Sequence, residues 1–332
     1  MSTLLYQNSS TSADSSSRLK NYGDLLSSLL WKLRHPNDAF LQTHHTKVVD
    51  HIWYQSSDSH IAPLFVVDPP QAHHSSILFV GGPYFHPLIY LLNEHGYLAS
   101  LLEAGYRVYL MAHRGHDLSK GQYTADMEHI AHYDIPAAVD SIRRYDSANL
   151  LLLGADIGAV IAMGWLSIGG SDDFDAAAII DLPYQQPSSA YKSWTALMPA
   201  QMTIPIKSIG ALAAQLDLDT TFSALEPSIR RRILNDGLCT APLRFVQQRL
   251  SWGDHPKIFN SRLPHLLRNI QIPLGIFQPE HSLTVVKNAF GDGPEYHSLN
   301  VAPSTIAARS WNKNERISLS SYLNEHRQQL SY

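Results

Sequence analysis

Cysteine is almost absent from this chain: Cys239 is the only one in 332 residues. A lone thiol leaves no disulfide framework and no cysteine-based zinc site, and it fits a reducing compartment. The 18 histidines are scattered, as in His44-His45 and His73-His74, and no His-Glu-x-x-His pair occurs among them. No metal site is expected on that pattern. No stretch approaches the roughly 20 apolar residues that span a bilayer; the longest near the start, Leu25 to Leu33, is broken by Ser27, Ser28 and Lys32. A basic excess is lacking too, with 25 Lys and Arg against 29 Asp and Glu and a net charge of −4. That balance removes the electrostatic footprint of a nucleic-acid binder. Met1 to Ser17 is rich in Ser and Thr and lacks the basic start and apolar core of a secretory signal. We expect residues 1–20 to be a disordered tail and the protein to be cytoplasmic.

What is present is a globular composition, 44% hydrophobic and 16% charged, enough for a substantial core. Extended pieces are expected at Lys47 to Tyr54 and Ile61 to Val67. The apolar run Ser76 to Val80, closed by Gly81-Gly82-Pro83, reads as a buried strand ending in a tight loop. Pro87 to Glu103 has helical periodicity and stops at Gly105. Further buried strands are expected at Arg107 to Ala112, Leu150 to Leu153 and Ala176 to Ile180, with helices at Asp134 to Arg144 and from Val160. This alternation predicts a mostly parallel sheet with helices on both faces, an α/β fold.

From Tyr184 to about Asn269 the pattern changes to helical segments and Pro breaks with no clear strand. Strand character resumes at Ile272 to Phe277 and Glu295 to Val301, and Ile317 to Gln328 reads as a closing helix. The expected organisation is core 21–183, helical cap 184–269 and core 270–332.

Gly154-Ala155-Asp156-Ile157-Gly158 lies between an expected strand and an expected helix. A turn that sharp needs small flanking residues and thrusts its central side chain out at the carboxyl end of the sheet. Upstream stand Gly105-Tyr106-Arg107-Val108-Tyr109, His113-Arg114-Gly115-His116 and the run His132 to Asp140; Ile270-Gln271-Ile272-Pro273 follows downstream. In this order the motifs resemble the α/β-hydrolase superfamily, most of all its lipase/esterase-like and polyhydroxyalkanoate-synthase-like members.

The resemblance implies a nucleophile at the elbow, a histidine that takes its proton and a carboxylate that orients the histidine. The elbow position carries Asp156, where such relatives carry Ser or Cys; members that open epoxides or displace halide carry Asp there. The family's acid position falls on His281, with Glu280 beside it as a possible acid–base pair. Its histidine position falls near Ala302 to Thr305, where no histidine stands and Ser304 is the nearest match; a shifted alignment would bring in His297. The oxyanion donors would be the backbone N–H of Ile157 and one from Gly81 to Tyr84, assigned to Gly82 because Pro83 has no N–H. Tyr84, Tyr184 and Tyr191, with Trp194, would line an apolar pocket. His113 and His116 end a core strand, and Arg114 reads as a residue that pins loops.

Two functions follow. One is a hydrolase of a small apolar ester-, epoxide- or halide-type substrate that uses Asp156. The other is a catalytically silent relative that binds a small ligand or a protein partner. Neither needs a cofactor.

Overall fold

The computed structural model describes residues 48–91, 96–116, 118–120, 125–183, 203–205, 239–252, 256–299 and 313–327. Eight strands form one sheet: β1 (Val48–Gln55), β2 (Ile61–Val67), β3 (Ser75–Val80), β4 (Tyr106–Met111), β5 (Leu150–Ala155), β6 (Ala177–Ile180), β11 (Leu274–Pro279) and β12 (Glu295–Leu299), in the order β1-β2-β4-β3-β5-β6-β11-β12. The first two strands pair antiparallel and β2 meets β4 antiparallel; every later pairing is parallel. Every residue of β3, β5, β6 and β11 is buried. That is what a parallel sheet covered on both faces demands, and it is why these strands read as unbroken apolar runs.

Helix α1 (Tyr97–Glu103) precedes β4, α2 (Ile135–Tyr145) precedes β5, and α3 (Ile157–Ser167) leaves β5 at once. Helix α3 is apolar nearly all round and almost wholly buried, as expected of a helix enclosed by the rest of the core. The expected helix over Pro87 to Glu103 is instead a 3₁₀ turn (Pro87–Leu91) and the separate α1, which starts after Gly96 in an extended conformation.

The stretch expected to lack strands holds two short pairs: β7 (Thr203–Pro205) with β8 (Thr240–Pro242), and β9 (Lys257–Ile258) with β10 (Ser261–Arg262). Strands of two or three residues show no alternation, and a Pro in each of β7 and β8 masks them further. Helix α4 (Leu243–Ser251) follows β8, and the short α5 (Leu263–Leu266) packs on α3.

The expected loop at Glu280-His281 is the first turn of α6 (Glu280–Phe290), opened by Pro279. Glu280 at that end suits the helix dipole. Helix α7 (Lys313–Arg327) closes the fold and packs on α1. Among the described residues no helix is long and apolar enough to cross a membrane.

Candidate functional site

Three loops meet at the carboxyl ends of β3, β5 and β6. At the end of β5 the chain turns through Asp156 with φ 53° and ψ −127°. That sparsely populated conformation costs about 1–3 kcal/mol for a residue with a side chain. It is held from both sides: the Asp156 N–H donates to the Ile180 carbonyl at 3.0 Å, and the Asp156 carbonyl accepts from the Ala159 N–H at 3.0 Å. The flanking glycines are obligatory. A Cβ on Gly158 would lie 2.1 Å from the Val80 carbonyl oxygen, and one on Gly154 would lie 2.8 Å from the Ala159 Cα.

Asp156 keeps part of its surface open, yet its surroundings are poor in polar groups. Burial pushes its carboxyl up to about 6, against the opposing pull of the Arg249 charge and of the adjacent Ile157 N–H. The next strand ends the same way. Asp181 follows β6 with φ 50°, its N–H donating to the Phe277 carbonyl at 2.9 Å. Ala155 and Ile180 are register partners, so Asp156 and Asp181 leave adjacent strands side by side. Burial, and then the Asp156 charge, raise the Asp181 carboxyl well above the usual range. Gln278, buried at the end of β11, fixes the loop after Asp181 by accepting from the Leu182 N–H at 2.9 Å and donating to the Leu182 carbonyl at 3.1 Å.

The third wall is the Gly81-Gly82-Pro83 loop. A Cβ on Gly82 would lie 3.0 Å from an Asp156 carboxylate oxygen, so the loop touches the acid. The Gly82 N–H donates to the Tyr90 hydroxyl at 2.8 Å. The Tyr90 ring is buried and touches the loop, for a Cβ on Gly81 would come within 2.6 Å of it. Burial, and then the Asp156 charge, raise the Tyr90 phenol above its usual range. The two histidines after β4 clamp this loop from below. His113 Nε2–H donates to the Gly81 carbonyl at 2.7 Å and His116 Nε2–H to the Pro83 carbonyl at 2.8 Å. Burial pushes the His113 imidazole down to about 3, so it is neutral at physiological pH.

Of the residues the sequence points to, Asp156, Ile157 and Gly82 come together here, and the Gly82 N–H already has a protein acceptor. Tyr84 is buried on the same loop, its carbonyl accepting from the Cys239 N–H at 2.9 Å. Glu280 is exposed on the first turn of α6. The side chain of His281, and all of Tyr184, Tyr191, Trp194 and Ser304, lie outside the described residues. His297 stands in mid-strand on β12, stacked on Phe277 at 4.3 Å and edge-on to Tyr322. That packing occupies its ring. Arg114 is fully buried between Asp58 and Asp134.

Asp181, Tyr90, Tyr97 and Arg249 were not singled out from the sequence. Asp181 carried a readable signal: an Asp directly after an apolar strand, as at Asp156. Among the described residues no three His, Cys, Asp or Glu side chains gather closely enough to hold a metal ion. A polar groove of about 670 Å³, lined by Asp126, Glu128, Arg244 and Gln248 among others, does not include the elbow. Its Glu128 is already committed to Gln248 and to the Phe259 N–H.

Comparison with known proteins agrees with this geometry. A family model described as serine aminopeptidase, S33, matches residues 92–254. No curated protein sequence matches significantly. Among solved structures, that of DcsB in complex with a substrate analogue has a TM-score of 0.61 at 12% identity, covering 83% of this chain and 99% of that one. The thioesterase domain from the curacin biosynthetic pathway has a TM-score of 0.56 at 14% identity, covering 84% of this chain and all of that one (100%). A thermophilic esterase from Thermogutta terrifontis has a TM-score of 0.56 at 13% identity, with 84% and 100% covered. Such identities establish the fold alone. With an eight-stranded, mostly parallel sheet and a strand–elbow–helix at its centre, the chain has the α/β-hydrolase fold, and it is similar in structure to lipases and esterases.

Proposed function

We propose that the elbow binds a small, largely apolar ligand and does not turn it over as an ester hydrolase would. One observation carries this reading: one of the two donors that would hold an oxyanion is engaged by the protein's own oxygen. The Gly82 N–H bonds the Tyr90 hydroxyl at 2.8 Å. Losing one such donor lowers turnover by about 10²–10³.

The chemistry at Asp156 supports the same reading. A carboxylate can attack carbon without a base, but the ester it forms must then be hydrolysed by an activated water. Residues 300–312, where the superfamily's histidine would fall, contain no histidine, and among the described residues no imidazole bonds Asp156. The apolar part of the ligand would meet Tyr84, with Tyr184 and Tyr191 assigned to the same wall from the sequence.

The test is a panel of p-nitrophenyl esters, terminal epoxides and 1-haloalkanes, with wild type compared against Asp156→Asn. We expect no saturable turnover by either protein. Saturable turnover by wild type that disappears in Asp156→Asn would overturn the reading and make Asp156 a nucleophile.

A further inference from the structure

The β1–β2 hairpin turns back through Ser56 to His60. Two backbone bonds close the turn: the Ser56 N–H donates to the His60 carbonyl and the Ser59 N–H to the Ser56 carbonyl, both at 2.9 Å. Asp58, near its tip, accepts from Arg114 at 2.7 and 3.1 Å, and Arg114 donates on to Asp134 at the start of α2. One guanidinium thus pins the turn to the core. His60 belongs to the same turn. It is 2% exposed, and among the described residues neither of its ring nitrogens has a hydrogen-bond partner. The neighbouring histidines differ. His113 and His116 each donate from Nε2 to a carbonyl of the Gly81-Gly82-Pro83 loop, and His116 Nδ1 also accepts from the His113 N–H at 3.3 Å. A buried neutral imidazole without partners forgoes two bonds that water would give it. A buried imidazolium without partners is worse by a whole charge.

We propose that the β1–β2 turn is an acid-released latch: when His60 takes up a proton, the turn opens, the imidazolium reaches water and Asp58 leaves Arg114. The surrounding cluster gives the protonated ring no place inside. The Arg114 cation opposes its protonation, and so does His116; Asp58 favours it, but that carboxylate is already bonded by Arg114 and Ser56. Tyr54, whose hydroxyl donates to the Ala112 carbonyl at 2.8 Å, is pushed up by burial and stays neutral. Lys120 meets Ile61 through main-chain bonds at 2.9 and 2.8 Å, and its side chain is exposed. Burial first, and then the Arg114 charge, push the His60 imidazole down to about 4. In the open turn the ring has its ordinary value of about 6.5, so the open form binds the proton more readily. Closure is therefore fully favoured above about 6.5 and weakens as pH falls toward about 4. Arg114 stands between His113 and His116, so the latch adjoins the residues that clamp the third wall of the elbow.

The experiment is amide hydrogen exchange on the full chain, expressed as protection factors at pH 7.5 and pH 5. At pH 5 the Ser56 and Ser59 amides should lose about tenfold or more of their protection, while Leu152, bonded to the Ala176 carbonyl within the sheet, keeps its own. His60→Phe retains a ring of similar size, needs no hydrogen-bond partner and takes up no proton, so its turn should be protected equally at both pH values. His60→Leu serves if the Phe ring does not fit. A nitrogen-15 NMR titration of the wild-type imidazole needs neither variant and should give a midpoint well below the ordinary value of about 6.5. Undiminished protection of Ser56 and Ser59 at pH 5, or a midpoint at the ordinary value with the turn still closed, would overturn the proposal. So would the same loss of protection in a folded His60 variant, which would assign the acid response to Asp134 instead.

Discussion

Asp134 and Asp156 are two carboxyls lifted by the same cause, burial, yet they have opposite surroundings. Asp134 lies at the start of α2, fully buried, and Arg114 donates to both of its oxygens. The same guanidinium donates to Asp58 in the β1–β2 hairpin at 2.7 and 3.1 Å. Arg114 is held protonated by its two acids while burial lifts Asp134. Because a guanidinium does not surrender its proton, the ionic form prevails and ties hairpin to helix. Asp156 has no cation in bonding contact among the described residues, and it has an open edge. A neutralised buried charge ties hairpin to helix; Asp156 has no such bonded counter-charge among the described residues.

The largest expected effect breaks the first member of this comparison. Arg114→Met strands Asp134 in the core without a partner and should cost about 3–5 kcal/mol in urea denaturation. A loss below about 1 kcal/mol would mean that the network is ornamental.

The second prediction concerns Asp156. Its folded-state value of about 6 stands above the ordinary value of about 3.9. The folded protein therefore binds that proton more readily than the unfolded chain, and this term favours folding as pH drops from about 6 to about 4. The shift corresponds to at most about 3 kcal/mol. Asp156→Asn should be the more stable protein at pH 7.5 and should lose that part of the slope. Asp146, held at about 2 by Ser76 and His73 against its burial, and Asp58, held well below the usual range by Arg114 and Ser56, act the other way. Their contribution is present above about 4 and is lost as pH falls further, which is why the difference between wild type and variant is the quantity to follow.

Gly158→Ala tests the tightness of the elbow. The added methyl meets the Val80 and Gly81 carbonyl oxygens at 2.1 and 2.4 Å, and overpacking of this kind costs about 1–3 kcal/mol. Thermal denaturation reads it. Tyr90→Phe is the smallest change: it leaves the Gly82 N–H without its acceptor, a cost of about 1 kcal/mol. The Gly82 amide signal should shift in a proton–nitrogen NMR spectrum, while that of Gly169, at a surface turn, stays in place.

Much of the frame was legible because both faces of the sheet are covered. The buried strands from Ser75 to Ile180 are continuous apolar runs, and only a turn without room for Cβ atoms demands Gly154 and Gly158. Arg114 as a loop pin was readable from the same local motif. The rest required tertiary register. Asp181 gains meaning only once β6 is known to lie beside β5, and Tyr90 only once its ring is seen against the Gly81-Gly82 backbone. Glu280, which the sequence sets beside the family's acid position at His281, gave no sign of its setting: the chain enters a helix after Pro279, and that carboxyl is exposed.

The most direct measurement is a carbon-13 NMR titration of the Asp156 carboxyl in the intact protein, assigned by its disappearance in Asp156→Asn. A midpoint near 6 is expected of an elbow carboxylate in low-polarity surroundings without a bonded counter-charge. A midpoint at or below about 4, the ordinary carboxylate value, would contradict it.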